Sequence, residues 1–107
     1  MPSLFSQVFT RDRGRCVYCG RNLLADFDSF YCAQKDHLVP SAGDAPENVV
    51  LACYVCNNLR GSFVPTVSLT PNSRREYIHQ IRCELMLRRA KALQDFASWT
   101  HPVDPAP

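Results

Sequence analysis

The sequence predicts a small α+β domain in which two short strands and several helices surround a site of four cysteines. Two Cys-x-x-Cys pairs, Cys16/Cys19 and Cys53/Cys56, are separated by 33 residues. Between them, two apolar segments flank a loop rich in Gly, Pro and Ser, which is typical of strands joined by a turn. A long C-terminal segment repeats apolar residues at the 3.6-residue period of a helix.

The four cysteines predict a closed structural zinc site. Zinc binds four thiolates tetrahedrally, and the tight turn in Cys-x-x-Cys directs two sulfurs at the same ion. The pairs lie further apart than the roughly 15–20 residues of a simple zinc ribbon, so we expect them to close the base of an inserted structure. The alternatives are a redox Cys-x-x-Cys or a disulfide framework. Redox chemistry does not need two matched pairs, and nothing marks the chain as secreted.

Length and composition predict one domain over residues 1–100. The chain has 107 residues, near the size at which an apolar core alone is only marginally sufficient, so a bound metal would add stability. Residues 101–107 are rich in proline and are predicted to be a disordered tail.

The N-terminal residues 1–6 lack the charged and apolar regions of a signal peptide, and no stretch is apolar enough to span a membrane. We therefore expect a reducing, cytoplasmic location. Free thiols at Cys32 and Cys83 are ordinary there, and both are predicted to be buried small apolar side chains rather than ligands.

The net charge of +2 is too small to identify a partner, but the charges are unevenly distributed. Residues 22–59 contain one lysine and five acidic residues. The cationic residues crowd the first cysteine pair and the C-terminal segment: Arg11, Arg13, Arg15, Arg21, Arg74, Arg75, Arg82, Arg88, Arg89 and Lys91. Cationic ends around a central site suit a phosphate backbone, although solvated surface charge is the simpler alternative.

Residues 4–12 have apolar side chains at i, i+4 spacing and predict a short helix that leads into the first cysteine pair. Residues 30–39 mix aromatic, cysteine and branched side chains and predict a strand with Asp36 and His37 near its end. Adjacent residues of a strand point to opposite faces, so these two can serve one site only where the strand ends or twists. Pro40 favours an end there.

Residues 41–46 are a loop by composition, and residues 49–51 predict the return strand. The segment 54–59 fits one or two helical turns, which Gly61 would stop. Asn57 lies on this helix one residue after a zinc ligand, so it is held at a fixed distance from the cysteines.

A long helix is predicted at about residues 73–99, with Asn72 or Ser73 as its cap and Glu76 near its start. Six apolar residues of this helix fall within one stripe: Ile78, Ile81, Leu85, Ala92, Phe96 and Trp99. We expect the stripe to cover the small core of the domain.

Two arginines lie inside this stripe. Arg89 is expected to extend its charged end from a packed face, whereas Arg82 either does the same or reaches toward phosphate. His79 and His101 are predicted to be surface and tail residues without a catalytic role.

The central motifs occur in a specific order: Cys16-x-x-Cys19, Asp36-His37-Leu38-Val39-Pro40, Asn48-Val49-Val50 and Cys53-x-x-Cys56-Asn57-Asn58-Leu59-Arg60-Gly61. Together they resemble the HNH endonucleases, in the zinc-stapled four-cysteine branch of that family. The resemblance covers residues 11–61, about half of the chain. One departure is Gly43-Asp44, where the loop of this family commonly carries a Gly-Gly pair.

The resemblance implies a ββα-metal site, in which a hairpin and a helix hold one divalent cation. The general base would be His37, and Asn48 would fasten the catalytic loop. The metal ligands would be Asp36 and Asn57. Both offer only oxygen atoms, which suits Mg²⁺ or Mn²⁺ and leaves positions for water and phosphate. A neutral imidazole can take a proton from water at physiological pH, as phosphodiester hydrolysis requires.

The sequence therefore predicts a metal-dependent DNA endonuclease with structural Zn²⁺ and catalytic Mg²⁺ or Mn²⁺. One base and one cation hydrolyse one bond at a time, so we expect a monomer, rather than a homodimer, that nicks duplex DNA. No separate recognition domain fits in 107 residues, so we expect low sequence specificity or a partner that supplies it. Arg15, Arg60 and Arg82 are candidates for contacts with nucleic acid. The alternative is a non-enzymatic zinc-stapled module that binds nucleic acid or protein, which has no use for the Asp-His-Asn set.

Overall fold

The computed structural model describes residues 3–99, and its fold is α+β, as predicted. The elements follow in the order α1 (Leu4–Arg11), α2 (Phe27–Tyr31), β1 (Ala33–His37), a 3₁₀ turn (Pro46–Asn48), β2 (Val49–Cys53), α3 (Tyr54–Arg60) and α4 (Arg74–Ala97). The predicted tail at residues 101–107, with His101, lies outside the described residues. Among the helices that are described, none is both long enough and apolar enough to cross a membrane.

The centre of the fold is an antiparallel hairpin of β1 and β2. The pairing runs from Ala33 opposite Cys53 to His37 opposite Val49. All five residues of β2 are buried, whereas Asp36 is the buried residue of β1. β2 is therefore the interior strand, and β1 alternates between the interior and the opposite face.

α1 begins where the sequence predicts because Ser3 caps it. The Ser3 hydroxyl accepts a hydrogen bond from the Ser6 amide at 3.1 Å. Val8 is buried in the core. Just after the helix, a carboxylate oxygen of Asp12 accepts a hydrogen bond from the Leu51 amide at 2.9 Å, which joins α1 to β2.

The prediction of a strand over residues 30–39 is wrong at its start, because α2 includes Phe30 and Tyr31 and the strand begins at Ala33. Asp26 caps α2, since its side chain accepts a hydrogen bond from the Ser29 amide at 2.7 Å. Phe30 then packs edge-on against Phe9 of α1, with ring centroids 5.7 Å apart. The aromatic character of this segment therefore serves a helix–helix contact, and the strand begins only after α2.

The return strand and the following helix agree closely with the sequence. β2 is two residues longer than the predicted segment 49–51, and α3 extends one residue beyond the predicted segment 54–59. Gly61 ends α3 with a φ of 52°, a conformation in which a side chain would be strained.

The prediction that the apolar stripe of α4 covers the core is correct only for the first half of the helix. Tyr77, Ile81 and Leu85 are buried, and Ile78 packs against the core. The second half extends past the domain, so Phe96 and Trp99 are exposed. The core is too small to cover a helix of 24 residues, which is about 36 Å long.

Cys32 and Cys83 are exposed, which corrects the prediction that they are buried. Cys32 lies just beyond the end of α2, at the surface. Cys83 lies two residues after Ile81, so the helical rotation of about 100° per residue turns it away from the core. His79 is also exposed, as predicted, and its Nε2 lies 3.4 Å from the Cys83 sulfur.

Candidate active site

The four cysteines that were predicted to bind zinc converge on one point: the Sγ atoms of Cys16, Cys19, Cys53 and Cys56 all lie within 4.8 Å of one another. The sulfurs of Cys19 and Cys53 are 3.8 Å apart, which is the edge of a tetrahedron with Zn–S bonds of about 2.3 Å. In residues 3–99 no other group of three or more His, Cys, Asp or Glu side chains is arranged to hold a metal. The cluster fits a structural zinc ion.

A cationic side chain lies beside this cluster of closely spaced sulfurs. The proximity of the Cys16 and Cys53 sulfurs lowers the pKa of the Cys53 thiol and raises the pKa of the Cys16 thiol to about 11. Arg89 of α4 supplies one cationic neighbour, since its Nη2 donates a hydrogen bond to the Cys56 sulfur at 3.4 Å. The guanidinium of Arg89 thus turns toward the cluster instead of extending into solvent.

Asp36 faces the interior, where it is only 7% exposed. Its Oδ2 accepts a hydrogen bond from the Tyr18 hydroxyl and an ion-paired hydrogen bond of 2.6 Å from Arg60 Nη1. Burial, followed by the nearby Asp36 charge, raises the pKa of Tyr18 far above its usual value. Tyr18 therefore remains a hydrogen-bond donor to this carboxylate at physiological pH.

Arg60 has the most buried charged side chain among the described residues, with 2% exposure. Besides Asp36, its guanidinium donates to the carbonyl oxygens of His37, Leu38 and Phe63 at 2.9, 2.7 and 3.0 Å. This position does not fit the predicted contact with nucleic acid, because the donors that would hold phosphate are already bound inside the protein.

His37 is the last residue of β1 and lies on the strand face opposite to Asp36. Its side chain is 33% exposed, and its Nε2 lies 2.6 Å from Oδ1 of Asp44, whose side chain is 76% exposed. The hydrogen bond from His37 holds the pKa of Asp44 below its usual value. In the sequence, Asp44 is distinctive only as a departure from the Gly-Gly pair of the resembling family, and no local signal predicts its contact with His37.

Asn48 fixes the loop between β1 and β2. Its Oδ1 accepts a hydrogen bond from the Val39 amide at 2.8 Å, and its Nδ2 donates to the carbonyl oxygens of Val39 and Gly43 at 2.9 Å each. The Asn48 carbonyl also accepts a hydrogen bond of 2.7 Å from the Leu38 amide. One buried amide therefore ties both ends of the loop that follows His37.

Asn57 lies on α3, three residues before Arg60, so both side chains project from the same side of the helix. Because Arg60 contacts Asp36, that side faces β1. Asn57 is half-buried, and its side chain makes no hydrogen bond with any other residue that the structure describes. Asp36 Oδ1 is likewise without a partner within residues 3–99. One carboxylate oxygen and one amide oxygen fit a hard divalent cation.

Basic side chains line two adjoining clefts beside the first cysteine pair. Arg15 and Arg82, 67 positions apart in the sequence, border the same cleft of about 440 Å³. Arg82 is also part of a second cleft of about 700 Å³, together with Arg74, Arg75 and His79. Arg82 is anchored there, because its Nη2 donates a hydrogen bond of 2.6 Å to the Val17 carbonyl. Exposed cations in a groove suit a phosphate backbone.

Comparison with known proteins confirms the resemblance suggested by the sequence. Residues 16–63 match the family model described as HNH endonuclease. The match spans both cysteine pairs, the loop and α3, and leaves α1 and α4 outside it. No curated protein and no solved structure matches the chain.

We expect Cys53→Ser to lose zinc and to unfold, because closed zinc sites of this kind supply part of the folding free energy. Metal analysis and thermal unfolding followed by circular dichroism measure both effects. Cys32→Ser is the matched control, because Cys32 is exposed and outside the cluster, and it should retain one zinc per chain. Equal melting of the two variants would contradict the zinc assignment.

Proposed function

We propose, from the HNH endonuclease match over residues 16–63, that the chain is a metal-dependent endonuclease that hydrolyses phosphodiester bonds of DNA. The main structural support is the position of His37. It lies at the end of β1 with a partly exposed imidazole, while the adjacent Asp36 faces the helix that carries Asn57. Because β1 ends at His37, the base and the carboxylate can serve one site although they leave the strand on opposite faces.

In the proposed reaction, neutral His37 takes a proton from water, and the resulting hydroxide attacks the phosphorus atom. The bond from phosphorus to the 3′-oxygen breaks, and that oxygen leaves. A divalent cation held by Asp36 and Asn57, Mg²⁺ or Mn²⁺ by their ligand type, would supply positive charge near the phosphate and the leaving oxygen. Asn48 keeps the loop beside His37 fixed, so the base stays oriented.

Arg60 and Tyr18 position Asp36 for this role. Both donate to Oδ2, which fixes the carboxylate and leaves Oδ1 for a ligand. A buried carboxylate is costly without such hydrogen-bond and ionic partners.

We also propose that the enzyme acts on duplex DNA as a monomer and cuts one strand at a time, since each chain has one His37. Residues 1–100 would form the single nuclease domain. Sequence specificity, if any, would come from a partner. A reducing cytoplasm would keep the thiols available for zinc.

The second candidate function is a zinc-stapled module that binds nucleic acid or protein without cutting. The observation in its favour is that Asp36 already has a structural partner in Arg60, so its burial requires no catalytic cation. The two candidates differ in one outcome, which is cleavage in the presence of Mg²⁺ or Mn²⁺.

If the chain is the proposed endonuclease, it should convert supercoiled plasmid to open circle before linear DNA appears, in the presence of Mg²⁺ or Mn²⁺. EDTA should prevent this conversion. His37→Ala should reduce the rate by about 10²–10⁴, because it removes the proton acceptor. Zinc content and melting temperature should not change. Lys91→Ala is the control, because its exposed side chain lies outside the site and outside both basic clefts, and it should cut normally. A His37→Ala rate within about tenfold of wild type would reject His37 as the base.

Asn57→Ala should raise the Mg²⁺ or Mn²⁺ concentration for half-maximal cleavage by about tenfold or more, because a ligand is lost. Titration of plasmid cleavage with each metal measures this. Asn58→Ala is the control, since its exposed side chain is rotated by about 100° from Asn57 on α3. Identical titrations for the two variants would mean that Asn57 does not hold the cation.

Arg75→Ala should weaken DNA binding and lower the slope of log affinity against log salt by about one, as expected for one phosphate contact. Arg75 is exposed in the larger basic cleft and makes no hydrogen bond within the described chain. Fluorescence anisotropy at several salt concentrations, with EDTA present, measures the slope. Lys91→Ala, which removes an exposed charge outside both clefts, is the control. An unchanged slope in Arg75→Ala would exclude the cleft as the binding surface.

A further inference from the structure

The proposed reaction does not use the contact between His37 and Asp44. The two side chains are seven residues apart in the sequence and 2.6 Å apart in space. Asp44 lies where a Gly-Gly pair is common in the resembling family, so this chain has a carboxylate at a position usually without a side chain.

The loop holds Asp44 at this place. Gly43, directly before it, has a φ of 84°, and its carbonyl accepts a hydrogen bond of 2.9 Å from Asn48 Nδ2. The same Asn48 side chain also binds both backbone groups of Val39, two residues after His37. The backbone on either side of the His37–Asp44 contact is therefore tied to one buried amide.

The charges around Asp44 keep its carboxylate ionised. The hydrogen bond from His37 is the main cause of its lowered pKa, and Lys35 contributes a further cationic charge. Lys35 and His37 are two residues apart on β1 and so lie on the same face of the strand.

An ionised carboxylate accepts hydrogen bonds and donates none. In a neutral imidazole one nitrogen carries the proton and the other has the lone pair. The hydrogen bond made by one nitrogen decides which of the two tautomers is present. Because the Asp44 carboxylate can only accept a hydrogen bond from Nε2, the proton is on Nε2 and the lone pair is on Nδ1. Only a nitrogen with a free lone pair can accept a proton from water.

We propose that Asp44 is a positioning residue for His37: its carboxylate fixes the imidazole orientation and the Nε2–H tautomer, so that Nδ1 is the base. This inference rests on the proposed function, because it assigns a role within the same site. Asp44 also faces the positive charge that His37 acquires when it takes the proton. The side chain acts through His37 and does not touch the substrate.

The test compares Asp44→Ala with Glu47→Gln, which removes one exposed negative charge from the 3₁₀ turn after the same loop. Asp44→Ala should lower kcat about tenfold to a hundredfold, as expected when a catalytic group loses its orientation. KM should remain within about twofold, because substrate contacts are unchanged. Asp44→Glu keeps a carboxylate on an exposed loop and should recover part of kcat. Glu47→Gln should resemble wild type.

A second measurement does not depend on cleavage. Long-range ¹H–¹⁵N correlation spectra at a pH where the imidazole is neutral report which ring nitrogen carries the proton. The His37 ring of wild type should be almost entirely in the Nε2–H form, and Asp44→Ala should show a measurable Nδ1–H population.

These outcomes separate the two proposals. An unchanged tautomer ratio in Asp44→Ala, or a kcat equal to that of Glu47→Gln, would overturn the role of Asp44. A fall in melting temperature or zinc content in Asp44→Ala would show a structural role and would also overturn it. If wild type cuts no nucleic acid, the proposed function fails, while the tautomer comparison still decides whether Asp44 sets the state of His37.

Discussion

The rest of this small fold depends on the hydrogen bonds and the ion pair made by one buried side chain, the guanidinium of Arg60. It joins the end of α3 to Asp36 and to the carbonyl oxygens of His37 and Leu38 at the end of β1. It also holds the chain beyond α3 through the Phe63 carbonyl. A buried charge is costly without partners, so the geometry of the whole corner is constrained to supply them. The helix and the strand that carry the candidate site therefore keep a fixed relative position.

The short helix α3 is held by contacts at both of its ends. At its start, Cys53 and Cys56 belong to the cluster that fits zinc, and the Cys53 sulfur accepts the Cys56 amide. At its end, Arg88 of α4 donates to the carbonyl oxygens of Leu59 and Arg60 at 2.7 and 2.8 Å. A cation at a helix C-terminus also interacts favourably with the helix dipole. Asn57, in the middle, is thus positioned by contacts that do not involve its own side chain.

The two faces of β1 have different tasks, which follows from the alternation of a strand. Asp36 points inward and is fixed by Tyr18 and Arg60, whereas His37 points outward and contacts Asp44. The inward residue is held by buried ionic contacts, and the outward one by a loop that Asn48 ties down. Asp36 is therefore positioned by buried contacts with Tyr18 and Arg60, whereas His37 is positioned by the loop between β1 and β2.

The sequence by itself determined the elements with local signals: the two cysteine pairs, the end of α3 at Gly61, and the order of motifs that resembles the HNH endonucleases. That resemblance also predicts a site made of Asp36, His37, Asn48 and Asn57. Only the tertiary structure decided that Arg60 is buried, that Tyr18 binds Asp36, that Asp44 meets His37 and that half of α4 is exposed. These features depend on contacts between distant residues and on the size of the core, which periodicity and spacing do not encode.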